Sequence, residues 1–320
     1  MIHPHETWDV VDSTKLRTFM DCPRQYFYRY VLGWTYARLN HNDLRFGSAW
    51  HRALAYCSEK GSYEDVVLLQ AYQAFMEEYR SEFEPETDDL FDKKNPSRAM
   101  EALISYAVKY KDDFDKYEVV HRDNQAFVEV AGVTTIHPDL PPIYFKLDTV
   151  FKNKETGKYF VMERKTGTSL SRTWRDQWGL STQIGTYLHV LRCVFEEEEL
   201  EGARVDGVFF GAKTKYDMER ISVNRGRDSM QVWLWSTIQW LSSLVGEQSA
   251  LLKCNPDAQI MEAFPLNPEC CTKYFGCAYF DFCTAWPNPL RQCEEPPMDF
   301  KVEFWDPREE FKDAKVKMEV

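Results

Sequence analysis

The sequence predicts an α/β protein organised around a sheet with parallel pairing, and three observations carry that expectation. Two β-rich runs, Tyr144 to Phe151 and Tyr159 to Lys165, flank a polar tip containing Asn153, Glu155, Thr156 and Gly157, the composition of a hairpin. A helical pattern follows from Asp176 to Phe195. After it, the short apolar run Val205 to Ala212 reads as a buried strand. Strand, helix and strand make a crossover unit, which sets the two strands parallel.

Taken in order, Ser13 to Leu32 begins with a Ser or Thr cap and carries Leu16, Phe19 and Met20 at helical spacing. Cys22-Pro23 interrupts the pattern, and Tyr26, Phe27, Tyr30 and Val31 resume it, so two short helices present Cys22 at their break. Arg45 to Tyr56 reads as a helix entry, with Gly47 and Ser48 at its start and His51 in its first turn. From Ser62 to Phe114 the chain is helical and charge-rich. Its apolar stripes are Val66, Leu69, Ala74 and Phe75, then Met100, Leu103, Ile104, Ala107 and Val108, and no chemistry is evident in this insertion or lid. A strand from Asn124 to Val130 is expected to pair with the hairpin across the HPDLPP loop. Gln183 and Tyr187, four apart, share a helix face. Ile221 to Val223 offers an edge strand, Asp228 to Lys253 a long helix, and 287–320 a wrapping or partly mobile tail. The expected organisation is a single domain over 1–320: N-terminal helices in 13–60, a helical insertion in 61–118, a core in 124–225, a C-terminal helix and cysteine cluster in 226–286, and the tail.

The formal charge of -12 argues against a surface coated with nucleic acid. Locally the balance reverses: eight basic residues stand against three acidic ones between Lys146 and Arg175, so the hairpin is expected to be basic. There is no basic start followed by an apolar run and no membrane-spanning stretch, which points to the cytoplasm. Nine cysteines in such a chain suggest metal binding before disulfides.

The hairpin register carries the chemistry. A turn centred near Glu155 and Thr156 sets Asp148 across from Met162 or Glu163, with facing Cβ atoms roughly 5 Å apart. Glu163 and Lys165 point to one side of their strand and Arg164 to the other. Two carboxylates that close repel unless a cation sits between them, and hard oxygen ligands favour magnesium or manganese. An E-x-K on a hairpin is by itself usually ordinary surface charge. The remaining motifs decide.

In order along the chain these are S-x-x-L-x-x-F-x-x-C-P-x-x-Y at Ser13 to Tyr26, G-x-x-x-H at Gly47 to His51, KLD ending at Asp148, Glu163-Arg164-Lys165 with Thr166-Gly167, Q-x-x-x-Y at Gln183 to Tyr187, and the C-terminal cysteines. Together they resemble the RecB-like branch of the PD-(D/E)XK nuclease superfamily, which includes the iron-sulfur exonucleases of CRISPR adaptation, the AddB nuclease domain and many phage nucleases. The resemblance implies a restriction-endonuclease-like core with a mixed central sheet. It implies a divalent ion held by His51, Asp148, Glu163 and the Arg164 carbonyl, with Lys165 orienting water and Gln183 and Tyr187 lining the site. It also implies a 4Fe-4S cluster on Cys22, Cys271, Cys277 and Cys283, with Cys270 competing for the second position and a structural zinc as the alternative. Two departures stand out. Five residues rather than two separate Cys271 from Cys277, and Arg164 replaces a more usual apolar residue, its side chain free to reach phosphate or a surface carboxylate.

The expected activity is that of a metal-dependent DNA nuclease, an exonuclease on single strands or free ends, since no separate base-reading module is evident. A helicase, recombination or CRISPR partner is the expected company. The alternatives are a catalytically silent module that binds DNA ends or a protein partner, and a zinc-stapled scaffold.

Overall fold

The computed structural model describes residues 2–37, 42–212, 216–273 and 276–320; residues 38–41, within the expected 13–60 block, lie outside the described residues. The chain opens with strand β1 (Val11–Asp12) and helix α1 (Ser13–Asp21). The cap of α1 is Asp12 rather than a Ser or Thr. Its carboxylate accepts from the Lys15 amide at 2.7 Å and complements the positive helix end. Pro23 cannot continue α1, so the chain restarts as α2 (Pro23–Tyr26) and a π-helical turn over Phe27–Val31, leaving Cys22 buried at the break.

Strand β2 (Trp34–Tyr36) precedes α3 (Asn42–Lys60). Gly47 and Ser48, expected at a helix start, are interior to α3, and His51 is mid-helix instead of in a first turn; Asp43 in the first turn favours the earlier beginning. Helices α4 (Asp65–Tyr79) and α5 (Pro96–Lys109) pack on α3. Their buried faces are rotated from the expected stripes: Val66, Leu69, Ile104 and Val108 are exposed, whereas Val67, Leu68, Ala71, Tyr79, Ala102 and Tyr106 are buried. The large rings of Phe75, Tyr79 and Tyr106 set the phase, because each buries more area than an aliphatic residue on the opposite edge.

Helix α6 (Asp113–Lys116) leads into the short strands β3 (Tyr117–Val119), β4 (His121–Arg122) and β5 (Gln125–Ala126), then β6 (Val128–Thr134), β7 (Ile143–Asn153) and β8 (Tyr159–Gly167). The β7–β8 hairpin forms as expected. Asn153 Oδ1 accepts from the Glu155 amide at 3.0 Å, and Gly157 takes φ +72°, open to glycine without strain. Its pairs run from Thr149↔Met162 to Lys152↔Tyr159, a register that continues to Asp148 opposite Glu163.

The connection to β9 (Leu200–Phe209) contains α7 (Arg172–Asp176), a 3-10 turn at Gln177–Leu180 and α8 (Thr182–Val194). The single helix expected from Asp176 is broken because Ser181 caps a fresh start, accepting from the Ile184 amide. Strand β9 runs parallel to β8, and β10 (Asp217–Val223) antiparallel to β9. Helix α9 (Arg227–Leu251) lies against α8, where Gly185 leaves no room for a Cβ beside the Trp233 ring.

The tail holds α10 (Phe280–Ala285), β11 (Phe300–Val302), α11 (Pro307–Asp313) and β12 (Val316–Glu319). It is built into the fold: β11 pairs with β2, and β12 joins β6 in parallel. Strands of three and four residues are too short to show a period in sequence. The sheet is mixed, in the order β10-β9-β8-β7-β6-β12, with β1 and β3 also paired to β7. The α3–α5 block and the α8–α9 pair each bury an apolar cluster against it. Among the described residues no helix is long and apolar enough to cross a membrane.

Candidate active site

Three carboxylates stand in line across three adjacent strands. β6 and β7 pair Val128 with Thr149 and Val130 with Leu147, so Glu129 falls opposite Asp148, as Asp148 falls opposite Glu163. Glu129 is absent from the residues expected from sequence. Its backbone is left-handed within a strand, φ +52°, which costs a non-glycine residue about 1–2 kcal/mol. The strand exchanges faces there: Val128 packs with Phe151, Phe160 and Met162, whereas Val130 packs with Leu147, Val161 and Ile184. A regular strand would keep residues two apart on one face.

Both oxygens of Asp148 are held. The Arg164 amide donates to Oδ2 at 2.6 Å, and His51 Nδ1, from α3, bonds Oδ1 at 2.9 Å. Lys165 pairs with Glu163 Oε1 at 2.5 Å, and Lys146 with Glu129 Oε2 at 2.6 Å. Glu163 Oε2 and Glu129 Oε1 are buried without a hydrogen-bond partner. Donor atoms of His51, Glu129 and Asp148 all lie within 4.8 Å of one another, the one such group of three among the described residues.

Electrostatics separate the two central carboxyls. Burial and then the Asp148 charge push Glu163 up to about 7, against the pull of Lys165 and His51. Burial opposes the Asp148 charge as well, yet His51, Arg164 and Lys165 hold it below the usual carboxylate range. Burial disfavours charged Lys165, but Glu163 more than restores it and leaves the ammonium above its ordinary value. Buried carboxyls driven apart in this way, with oxygens to spare, fit a site that lacks one positive charge.

Gln183 and Tyr187 of α8 both line the cleft above this row. The Tyr187 hydroxyl is already committed, donating to the Lys146 carbonyl at 2.6 Å and accepting from Gln183 Nε2 at 2.9 Å, so it fixes β7. The Arg164 side chain reaches neither phosphate nor a surface carboxylate. The pleat turns it inward, 2% exposed, to Thr149 Oγ1 at 2.8 Å and Ser58 Oγ of α3 at 2.7 Å. There it stands in register with Asp206 on β9, itself in register with Arg220 on β10. Arg220 bonds Asp206 and Asp113, and the Tyr106 hydroxyl donates to Asp206.

The row opens into a cleft of about 1150 Å³. The helical block that showed no chemistry in sequence forms a wall of it through Gln70, Gln73, Glu77 and Glu78, and Lys94 reaches Thr166 Oγ1 at 3.3 Å. The expected basic character is overturned. Nine acidic residues line the cleft against four lysines or arginines, because only Lys146 and Lys165 of the eight hairpin-region cations face it. Elsewhere, burial raises the thiols of Cys271, Cys277 and Cys283, the last to about 12, and neighbouring thiols that include Cys22 raise each further. Cys270 Sγ instead bonds the Asp21 carbonyl at 2.8 Å.

Comparison with curated proteins finds no match. Among solved structures, a candidate exonuclease from Eubacterium rectale aligns with a TM-score of 0.44 at 13% identity, covering 75% of this chain and 81% of that one. The protein SSO0001 aligns with a TM-score of 0.31 at 15% identity, covering 74% and 78%. The PD-(D/E)XK nuclease superfamily matches residues 13–284, a span that holds His51, the whole carboxylate row, Lys165 and the four expected cluster cysteines. The chain, with its mixed sheet flanked by helices, therefore belongs to the PD-(D/E)XK nuclease superfamily.

Proposed function

We propose that this nuclease is a divalent-metal-dependent deoxyribonuclease that works from free ends on single-stranded or resected DNA. The observation that carries the reading is the row Glu129, Asp148 and Glu163, flanked by His51 and Lys165. Its oxygen and imidazole donors, two oxygens buried and unpaired, suit magnesium or manganese. His51, Glu129, Asp148, Glu163 and the Arg164 carbonyl would hold the ion. Bound there, it supplies a nucleophilic water at neutral pH and neutralises charge developing on the scissile phosphate.

The chain's own residues divide the remaining work. The Arg164 amide and His51 keep Asp148 oriented. Lys165, paired with Glu163 and protonated, serves as a cationic donor rather than a base, orienting water and stabilising the anionic phosphate. Gln183 contacts the strand while Tyr187 holds β7. The preference for ends follows from the resemblance in motif order.

The same reading assigns a 4Fe-4S cluster to Cys22, Cys271, Cys277 and Cys283, a clasp between α2 and the segment after α9. A tetrahedral zinc would draw thiolates to roughly 3.8 Å of one another. A 4Fe-4S cluster would hold them farther apart, one thiolate on each iron. Brown protein bleached by dithionite supports it, and colourless protein containing zinc refutes it.

The test of activity uses end-labelled single- and double-stranded DNA, blocked ends and a closed circle, with magnesium or manganese. Release of short products from free ends, lost in Asp148→Ala and Lys165→Ala, is the expected result. Wild-type protein that leaves every substrate intact, indistinguishable from Lys165→Ala, overturns the reading.

A further inference from the structure

We propose that Trp305 is a stacking platform for a nucleobase of a single-stranded polynucleotide, set at one end of the catalytic cleft; this rests on the reading of that cleft as a nuclease site. Trp305 lies between β11 and α11, beyond residue 284 where the family match ends. It lines the cleft that contains Asp148, Glu163 and Lys165, and it is 37% exposed. Its single polar atom is taken: Nε1–H donates to Asp12 Oδ2 at 2.9 Å, while Asp12 Oδ1 caps α1. The indole is thus gripped by one edge, and the surface left to the cleft is apolar ring.

The mount is firm and its distance from the chemistry is set by the sheet. β11 pairs with β2 before Trp305, and β12 joins β6 after it. Asp12 pairs with Tyr144 of β7, which also lines the cleft. Tyr144 precedes Asp148 by four residues, about 13 Å along an extended strand. A polynucleotide with a phosphate at Asp148 reaches the indole within a few nucleotides.

Charge explains why the cleft needs such a surface. Phosphates on either side of the scissile one meet Asp12, Asp43, Glu77 and Glu310 among the nine lining acids. Backbone affinity scales with the number of phosphates neutralised, and this wall neutralises few. Stacking on an aromatic ring requires no cation, and every base offers a π-face. A duplex hides those faces. The platform therefore selects single strands and frayed ends.

The test is fluorescence anisotropy at low salt in EDTA, with a labelled oligothymidylate and an equally long strand lacking bases. Wild type should bind the base-bearing strand roughly tenfold more tightly. Trp305→Ala and Trp305→Leu should erase the difference, and Trp305→Phe should keep most of it. Trp235→Ala, an exposed tryptophan on α9 outside the cleft, should leave it intact. Thermal melts of each variant separate stacking from misfolding, and the leucine variant fills space without a ring. Equal binding of the two strands by wild type, or a difference that survives in Trp305→Leu, overturns the platform. Cleavage with magnesium is scored separately: no cleavage with the binding difference intact sinks the nuclease reading alone.

Discussion

Two rows of charged residues cross the same sheet one position apart, and they meet opposite fates. Glu129, Asp148 and Glu163 run over β6, β7 and β8 and line the cleft; Arg164, Asp206 and Arg220 run over β8, β9 and β10 in the interior. The inner row is balanced. Asp113 joins Asp206 against the two arginines, and Thr149, Ser58 and Tyr106 add hydroxyl partners. The outer row sets three carboxylates against Lys146 and Lys165, and His51 completes it only by holding a proton. Both rows keep unpaired atoms, among them Glu163 Oε2 and Asp206 Oδ1. An orphaned buried oxygen thus marks a site only where the charges do not close and a ligand can reach it.

Mutations should separate the rows, beginning with the largest effect. Glu163→Gln should cut cleavage on the order of 10³-fold while raising the melting temperature of metal-free protein at pH 8. Burial and Asp148 already favour its neutral form. A folded-state value near 7, above that of the unfolded chain, means the native state holds the extra proton in between. Wild-type stability therefore falls as pH rises through that window, and the glutamine variant's advantage should appear over the same range in EDTA melts. A lower melting temperature at pH 8 would show the outer row to be as complete as the inner one.

Asp206→Ala should do the reverse. It leaves Arg164 and Arg220 as poorly compensated buried cations, costing about 3–5 kcal/mol in denaturant titration, with cleavage per folded molecule preserved. Arg164→Met links the rows. It should cost about 1–3 kcal/mol and raise the magnesium concentration for half-maximal cleavage several-fold, because the amide of the same residue orients Asp148. Lost stability with an unchanged magnesium requirement would make the rows independent. Tyr187→Phe, which deletes the bond to the Lys146 carbonyl, should cost about 1 kcal/mol by thermal melting.

What sequence revealed about these rows follows from how local the information is. The Asp148–Glu163 register was legible because Asn153 and Gly157 set the turn only a few residues away. Glu129 was not, since its place depends on pairing across a long loop and on a left-handed backbone that no glycine announces. The one available signal was a lone acid between valines in an otherwise apolar strand. The crossover from β8 to β9 was readable from period and length, whereas the rotation of α4 and α5 required knowing which rings face the sheet. Charge along the chain misled most. Residues adjacent in sequence at the hairpin point away from the cleft, and its acidic wall is assembled from α3, α4 and the tail.

Strand β12 closes one edge of the sheet beside β6, a strand far from it in sequence. Val316 pairs with Val130, the residue after Glu129, so without β12 the strand β6 has an open edge. An open edge strand is a template for wrong partners. It also leaves the strand that carries Glu129 held on one side alone, by β7. β12 therefore guards the fold and the carboxylate row with one set of backbone hydrogen bonds.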